Sequence, residues 1–194
     1  MLSKWKVLTK FWIMLSTIKG KFFLDGPGGT GKTYLYRALL ARIRSMDRIA
    51  IATATSGIAA SIMPGGRTAH SRFKILIKIE DNSMCNFTKQ SGTAALLREA
   101  SLIIWDEVAM TRRQAVETLD RSLQDIIECD LPFGGKVIVF GGDFRQVLPV
   151  VPRGTRAQIC DATLLRSYIW DDIKIIRLKQ NMRPRMMYDS RSFY

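Results

Sequence analysis

Few local patterns limit the choice of fold as tightly as the glycine-rich stretch at residues 26–33, Gly26-Pro27-Gly28-Gly29-Thr30-Gly31-Lys32-Thr33. It fits G-x-x-x-x-G-K-[ST], the P-loop pattern, in which glycines let backbone N–H groups turn towards a pyrophosphate. The apolar run Phe22–Leu24 precedes the loop and a helical pattern, Tyr34–Arg44, follows it. Strand, loop and helix therefore come in the order that this motif requires.

The loop predicts a binding site for a nucleoside triphosphate and Mg²⁺. Lys32 supplies a mobile positive charge for the β- and γ-phosphates, and the hydroxyl of Thr33 is a magnesium ligand. The residues predicted to bind the nucleotide are Gly26, Gly28, Gly29, Thr30, Gly31, Lys32 and Thr33.

Apolar runs alternate with helical stretches along the rest of the chain, which predicts an α/β fold. The runs do not alternate apolar with polar residues, as expected for parallel strands that are covered on both faces. The predicted strands are Phe22–Leu24, Ile49–Ala52, Leu102–Trp105, Val137–Phe140 and Ile173–Leu178. This alternation predicts a mostly parallel, doubly wound sheet with helices on both faces and ligands at the carboxyl ends of the strands.

Capping patterns predict two further helices. Thr111 and Gln114 form a capping box before an apolar face that includes Val116 and Leu123, and Thr155 with Gln158 starts a helix through Leu165. Residues 78–92 are polar and predict a surface excursion.

Two predicted strands end in residues that suit hydrolysis of a phosphoanhydride. Asp106 and Glu107 follow the third strand directly, which with a P-loop is the Walker B arrangement. Asp106 would hold Mg²⁺, and Glu107 would orient and deprotonate the attacking water. Gly141 and Gly142 predict a tight exit from the fourth strand towards the same edge. Gln146, after that strand, suits the γ-phosphate or its attacking water, or is a loop amide that bonds to nearby backbone groups.

The charge of the chain predicts a polyanionic partner. Lys and Arg total 30 against 17 Asp and Glu, so that 194 residues carry a net charge of +13. Nucleic acid is the simplest partner; a basic surface that aids solubility, or a missing acidic remainder, is the alternative. Ser56 and Gly57 at a helix start suit a phosphate or form an ordinary cap. His70 is the only histidine and lies among cationic and hydroxyl residues.

Taken together, these motifs resemble the petite-integration-frequency family of superfamily-one DNA helicases, in particular its plant-type members. The resemblance runs from about residue 20 to residue 183 in unbroken order. The matching blocks are residues 25–33, 56–60, 64–73, 104–107, 132–136, 141–149 and 178–183, and the signature stretch of the family looks similar to residues 107–128.

The resemblance implies a RecA-like P-loop NTPase domain of an ATP-driven motor. Such a motor moves 5′ to 3′ on single-stranded DNA and unwinds duplexes, forks and G-quadruplexes, in repair, recombination and telomere maintenance. By position, Glu107 matches the catalytic base, Gln146 the γ-phosphate sensor and Arg183 an arginine that reaches the γ-phosphate. The matches to the first DNA-contacting region are Ser56, Gly57, Thr68 and His70.

The chain departs from the family pattern at both ends. Residues 1–19 lack the glutamine-bearing segment that reads adenine, which puts selectivity for ATP over GTP in question, and residues 184–194 contain no block that can be placed in the family pattern. Residues 20–183 correspond to the first motor domain alone, so a fragment or truncated gene model is expected, with little hydrolysis and no unwinding by itself.

Two other kinds of protein are compatible with the sequence. One is a relic of such a helicase that binds nucleotide and DNA without turnover, and the other is a ring-forming ATPase of the clamp-loader type. The expectation otherwise is a monomer that contacts no membrane. The three cysteines are spaced as reduced thiols would be, and the predicted location is the nucleus, with an organelle as the alternative.

Overall fold

The computed structural model describes residues 20–179 and residue 181, and these are built around a six-stranded sheet. The strand order is β3-β2-β4-β5-β1-β6, and every paired strand is parallel to its neighbour. The strands are β1 (Lys21–Asp25), β2 (Ile49–Ala54), β3 (Arg67–Thr68), β4 (Ala100–Asp106), β5 (Ile138–Gly142) and β6 (Ile173–Arg177).

Among the described residues, six α-helices connect the strands: α1 (Lys32–Arg44), α2 (Gly57–Ser61), α3 (Ala69–Phe73), α4 (Gly92–Glu99), α5 (Arg113–Ile127) and α6 (Arg156–Asp161). Short 3-10 turns lie at Val108–Met110, Pro132–Gly135, Leu164–Arg166 and Trp170–Asp172. No helix in the described part is long and apolar enough to cross a bilayer. The predictions made for residues 1–19, Arg183 and residues 184–194 lie outside the described residues.

The sheet has an apolar layer on each face, which confirms the predicted arrangement. Phe22 and Leu24 of β1 pack with the buried face of α1, whereas Phe23 between them joins the cluster that contains α5. Because successive side chains of a strand point to opposite faces, a strand covered on both sides must be apolar throughout.

The carboxyl ends of β1, β5 and β4 lie side by side. Asp25 of β1 is in register with Gly142 of β5, and Phe140 of β5 is in register with Trp105 of β4. The P-loop, Asp106 and the segment after Gly142 therefore leave the sheet at the same edge, where parallel α/β sheets bind their ligands.

Three local predictions were wrong. The N-cap of α5 is Arg112, and the Thr111 hydroxyl instead contacts the hydroxyl of Thr55 at 2.7 Å, so the predicted capping box does not form. The Thr155 capping box does form, but its helix ends at Asp161 rather than Leu165. The strand β5 includes Gly141 and Gly142, which the sequence had placed in a loop.

The segment predicted as a surface excursion is partly core. Cys85 is buried, and its backbone N–H donates to Ser122 Oγ on α5 at 2.9 Å. Ile79 and Phe87 pack against the same apolar cluster. The polar residues between them hid one buried and two partly buried positions, which are too far apart to form a periodic pattern.

Candidate nucleotide-binding site

The P-loop joins the end of β1 to the start of α1 through a left-handed turn. Gly31, the N-cap of α1, has φ 90°, a conformation that costs glycine little and a residue with a Cβ much more. The Thr30 hydroxyl donates to the carbonyl of Pro27 at 2.8 Å and closes the loop on itself. The first backbone N–H groups of α1 thus stand at the sheet edge, as an anion site requires.

Lys32 and Thr33 are the first two residues of α1. The Lys32 ammonium donates to the carbonyl of Gly26, and at 3.4 Å to that of Pro27, so the charge lies over the loop. Thr33 follows as a half-buried residue in the first turn. Both predicted ligands are therefore at the edge where β4 and β5 also end.

Asp106 is the last residue of β4 and is only 4% exposed. Burial raises the pKa of its carboxyl group, while the Glu107 backbone N–H, the Tyr36 hydroxyl and the charge of Lys32 act in the opposite direction. The Tyr36 hydroxyl donates to Asp106 Oδ1 at 3.0 Å. The predicted metal residue is thus held at the sheet edge within electrostatic reach of the P-loop lysine.

Glu107 begins the turn after β4 in a left-handed conformation, with φ 55°. Such a φ is uncommon outside glycine and indicates a backbone held by its surroundings. Partial burial raises the pKa of the Glu107 carboxyl group, the negative charges of Asp106 and Asp143 raise it further, and Lys32 opposes them. A carboxylate with a raised pKa is a better proton acceptor, which suits a general base.

An arginine that the sequence reading assigned no role bridges two strand ends. Arg145 Nε donates to Asp143 Oδ1 at 2.7 Å, and its Nη2 donates to Asp25 Oδ1 at 3.1 Å. Burial alone would raise the pKa of Asp143, but the hydrogen bonds and charge of Arg145 lower it overall. Gln146 is exposed in the following turn, where its backbone N–H donates to the Asp143 carbonyl at 3.1 Å. The strand-end rule that selected Asp106 could have found Asp25 and Asp143 as well.

The predicted DNA-contacting residues lie around the ends of β2 and β3. Thr68 is in register with Ala54, which places it beside the segment that holds Ser56 and Gly57. Ser56 caps α2 through a hydrogen bond from the Ala59 N–H, the ordinary role that the sequence left open. His70 is half-buried in α3, and burial lowers its pKa. The structure brings these residues into one neighbourhood, and their contact with DNA stays a prediction.

A hydrogen-bond cluster joins this segment to the carboxylates. Trp105 Nε1 donates to Thr55 Oγ1 at 3.1 Å, and the Thr55 backbone N–H donates to the Asp106 carbonyl at 3.0 Å. Because it also contacts Thr111, the Thr55 hydroxyl connects the end of β2 with β4 and with the segment before α5. Sequence patterns could not assign Thr55 this role, because the contact joins residues about fifty positions apart.

The oxygen atoms at this edge suit Mg²⁺ better than a transition metal. The described residues contain no group of three or more His, Cys, Asp or Glu side chains placed to hold a metal ion. Mg²⁺ is usually bound by one or two carboxylates together with phosphate oxygens and water. Asp106, with the hydroxyl of Thr33, fits that kind of site.

Several helicases match this chain in sequence and in structure. The ATP-dependent DNA helicase Pif1 of Psychrobacter sp. (strain PRwf-1) is 31% identical over 165 residues, which are 84% of this chain and 25% of that protein. The ATP-dependent DNA helicase RRM3 of Saccharomyces cerevisiae is 32% identical over 136 residues, 68% of this chain and 18% of that protein.

The fold matches as well. The crystal structure of Pif1 helicase from Bacteroides in complex with ADP-AlF3 and ssDNA aligns with a TM-score of 0.76 and 28% identity, over 90% of this chain and 41% of that one. This chain thus spans a quarter of the Psychrobacter protein and two fifths of the Bacteroides structure. The family model described as PIF1-like helicase matches residues 7–192, nearly the whole sequence. The chain belongs to the PIF1-like helicase family.

Proposed function

We propose that this chain is the first RecA-like motor domain of an ATP-dependent DNA helicase, that it binds Mg–ATP, and that by itself it hydrolyses ATP only slowly. The observation that carries the proposal is the meeting of Lys32, Asp106 and Glu107 at one edge of the sheet, close enough for Lys32 to influence the pKa of both carboxyl groups. A lysine, a metal carboxylate and a base at one place are what phosphoryl transfer to water needs.

Each of these residues has a separate task. The P-loop N–H groups and Lys32 hold the triphosphate, and Asp106 with Thr33 holds the metal ion. Mg²⁺, when bound, neutralises charge on the β- and γ-phosphates. Glu107 accepts a proton from the attacking water, and its raised pKa matches that task. Gln146 and Arg183 are proposed to contact the γ-phosphate, on the strength of the family resemblance.

Single-stranded DNA is the proposed second ligand. The net charge of +13 supports a polyanion, and the names of the relatives and of the Bacteroides complex support DNA. The Thr55 cluster offers a short physical connection between Ser56 and Asp106. For the helicase of which this chain is proposed to be a domain, we further propose unwinding in the 5′ to 3′ direction and roles in repair, recombination and telomere maintenance. The proposal also includes a monomeric state and a nuclear location.

Substitution of Lys32 by alanine tests the nucleotide site. Removing the ammonium leaves the triphosphate tail without its main charge partner, so affinity for a fluorescent ATP analogue should fall by about tenfold or more, as the loss of a charge-assisted hydrogen bond costs about 1.5–3 kcal/mol. Lys89→Ala is the matched control, because Lys89 pairs with Asp125 on the surface. Equal affinity of the Lys32→Ala variant and the unchanged chain would refute the nucleotide site.

Phosphate release separates a motor domain from a protein that only binds its ligands. Single-stranded DNA should stimulate release of phosphate from ATP, and binding of DNA should weaken as salt rises, because phosphate contacts release counterions. Binding of both ligands without any stimulated release would favour a non-catalytic nucleotide- and DNA-binding relic. Gel filtration addresses the ring-forming alternative, which requires a stable oligomer.

A further inference from the structure

Tyr36 is a buried residue of α1, and its hydroxyl reaches the sheet edge at which the P-loop and Asp106 lie. It lies four positions after Lys32 in α1, and residues four apart lie on the same face of a helix. Its side chain is fully buried, and its hydroxyl donates to Asp106 Oδ1 at 3.0 Å. The helix that begins with the phosphate-binding lysine therefore also carries a donor to the metal carboxylate.

Strand β5 leaves room for the contact between Tyr36 and Asp106. Gly141 of β5 has no side chain where the hydroxyl and the carboxylate meet. A Cβ added at Gly141 would lie 1.6 Å from the Tyr36 hydroxyl oxygen and 2.9 Å from Asp106 Oδ1. Because real Cβ atoms do not approach so closely, any larger residue at this position would have to displace the hydroxyl. Three elements, α1, β4 and β5, thus combine to make one hydrogen bond.

Together with the Glu107 backbone N–H, the bond restricts a carboxylate whose last torsion angle is a broad one. With Oδ1 held by a buried donor, the other oxygen, Oδ2, has a defined direction. Hydrogen bonds of this kind to the groups that bind a metal ion fix their orientation and commonly change metal affinity by about 10–100-fold when removed.

We propose that Tyr36 is a positioning residue of the magnesium site, which holds the Asp106 carboxylate in the orientation that the metal ion requires. The inference rests on the proposed function, since it assigns Tyr36 a role in the Mg–nucleotide site. The competing explanation is purely structural: Asp106 merely satisfies a buried phenol, which needs a partner in any case.

Substitution of Tyr36 by phenylalanine keeps the ring and removes only the hydroxyl. The proposal expects the Mg²⁺ concentration for half-maximal binding of a fluorescent ATP analogue to rise by about tenfold. Direct Mn²⁺ binding in the presence of nucleotide, measured by electron paramagnetic resonance, should weaken by a similar factor. Nucleotide affinity in EDTA should not change, because Lys32 and the loop are intact.

A matched control exists in the same chain. Tyr168 also donates its hydroxyl to a carboxylate, Asp120 Oδ2, at 2.7 Å, in a different part of the molecule. Tyr168→Phe should lower the thermal midpoint while leaving the Mg²⁺ and Mn²⁺ dependence unchanged. Gly141→Ala places a Cβ against both the Tyr36 hydroxyl and Asp106 Oδ1, so it should also weaken metal binding.

The outcomes distinguish the inference from the function on which it rests. Metal dependence of folded Tyr36→Phe equal to that of Tyr168→Phe would overturn the positioning role and leave the nucleotide site intact. No Mg²⁺-dependent nucleotide binding by the unchanged chain would instead refute the proposed function. A metal defect confined to the Tyr36 and Gly141 variants supports the inference.

Discussion

Asp120 offers the sharpest test of how α5 is held against the rest of the domain. It is fully buried, and its carboxylate accepts hydrogen bonds from the backbone N–H of Phe133, the hydroxyl of Tyr168 and the side-chain amide of Gln124. These donors belong to the turn at Pro132–Gly135, to the segment before β6 and to α5 itself. One side chain therefore connects three parts of the chain.

Asp120→Asn changes this group without changing its size. The amide oxygen of asparagine can still accept one hydrogen bond, but its NH₂ group must face a second donor. The Phe133 and Tyr168 bonds, at 2.5 and 2.7 Å, are short bonds to a carboxylate. Hydrogen bonds to charged groups contribute about 1.5–3 kcal/mol each, so losing one bond and placing the NH₂ group against its former donor should cost about 2–4 kcal/mol. For a domain of this size the thermal midpoint should fall by about 5–15 °C.

Urea unfolding followed by circular dichroism measures this loss directly. The control is Asp125→Asn in the same helix, because Asp125 is half-exposed and pairs with Lys89 at 3.0 Å. A surface pair of this kind is worth less than about 1 kcal/mol. A double-mutant cycle between Asp120→Asn and Tyr168→Phe then gives the coupling energy of one bond. Equal losses for the Asp120 and Asp125 variants would contradict the anchoring role.

Two further outcomes check the site and the core. Glu107→Gln should retain nucleotide affinity but lower DNA-stimulated phosphate release by about 10²–10⁴-fold, as expected when a general base is removed, and an unchanged release rate would exclude Glu107 as the base. Burial raises the pKa of the Cys85 thiol to about 11, whereas Cys160 is exposed. Because the thiolate is the reactive form, iodoacetamide followed by mass spectrometry should label Cys160 in the folded protein and Cys85 only in urea. Labelling of Cys85 at the same rate as Cys160 without denaturant would contradict the burial of Cys85.

The parallel sheet and the position of Asp106 and Glu107 at its edge were predictable for the same reason. A strand covered on both faces leaves a short apolar run, as at Leu102–Trp105, and the residues after such runs must meet at one edge. Asp106 and Glu107 could therefore be assigned from their position after a strand. That assignment requires only local pattern and the rule for parallel strands.

The buried carboxylates of α5 could not be predicted in this way. Glu117 and Asp120 look like the polar face of an amphipathic helix, yet both are buried. Glu117 accepts hydrogen bonds from Arg113, one turn earlier, and from the Ser167 hydroxyl, fifty residues later. Whether a carboxylate on a helix faces water or a distant donor depends on the packing of other elements, which periodicity does not report.

At Thr111 a tertiary contact replaces the helix cap that the local sequence pattern predicts. Threonine followed three residues later by glutamine is a capping pattern, and the same pattern at Thr155 and Gln158 does form the predicted box. Thr155 is exposed, whereas Thr111 is buried beside Thr55, whose hydroxyl also accepts from the indole of Trp105. A buried hydroxyl must be satisfied where it lies, and here the available partner was another strand end rather than the helix.

The glycines of β5 show the same dependence on tertiary contacts at the site itself. From the sequence, Gly141 and Gly142 read as a tight exit from the strand, because glycine usually marks a turn. In the structure both belong to the strand, and the missing side chain of Gly141 provides the space in which Tyr36 meets Asp106. The reason for a glycine of this kind lies in the partner that fills its space, here a tyrosine more than a hundred residues earlier. The residues proposed to carry the chemistry could thus be predicted singly from the sequence. The residues that hold them in place are defined by contacts between distant parts of the chain, which sequence patterns do not report.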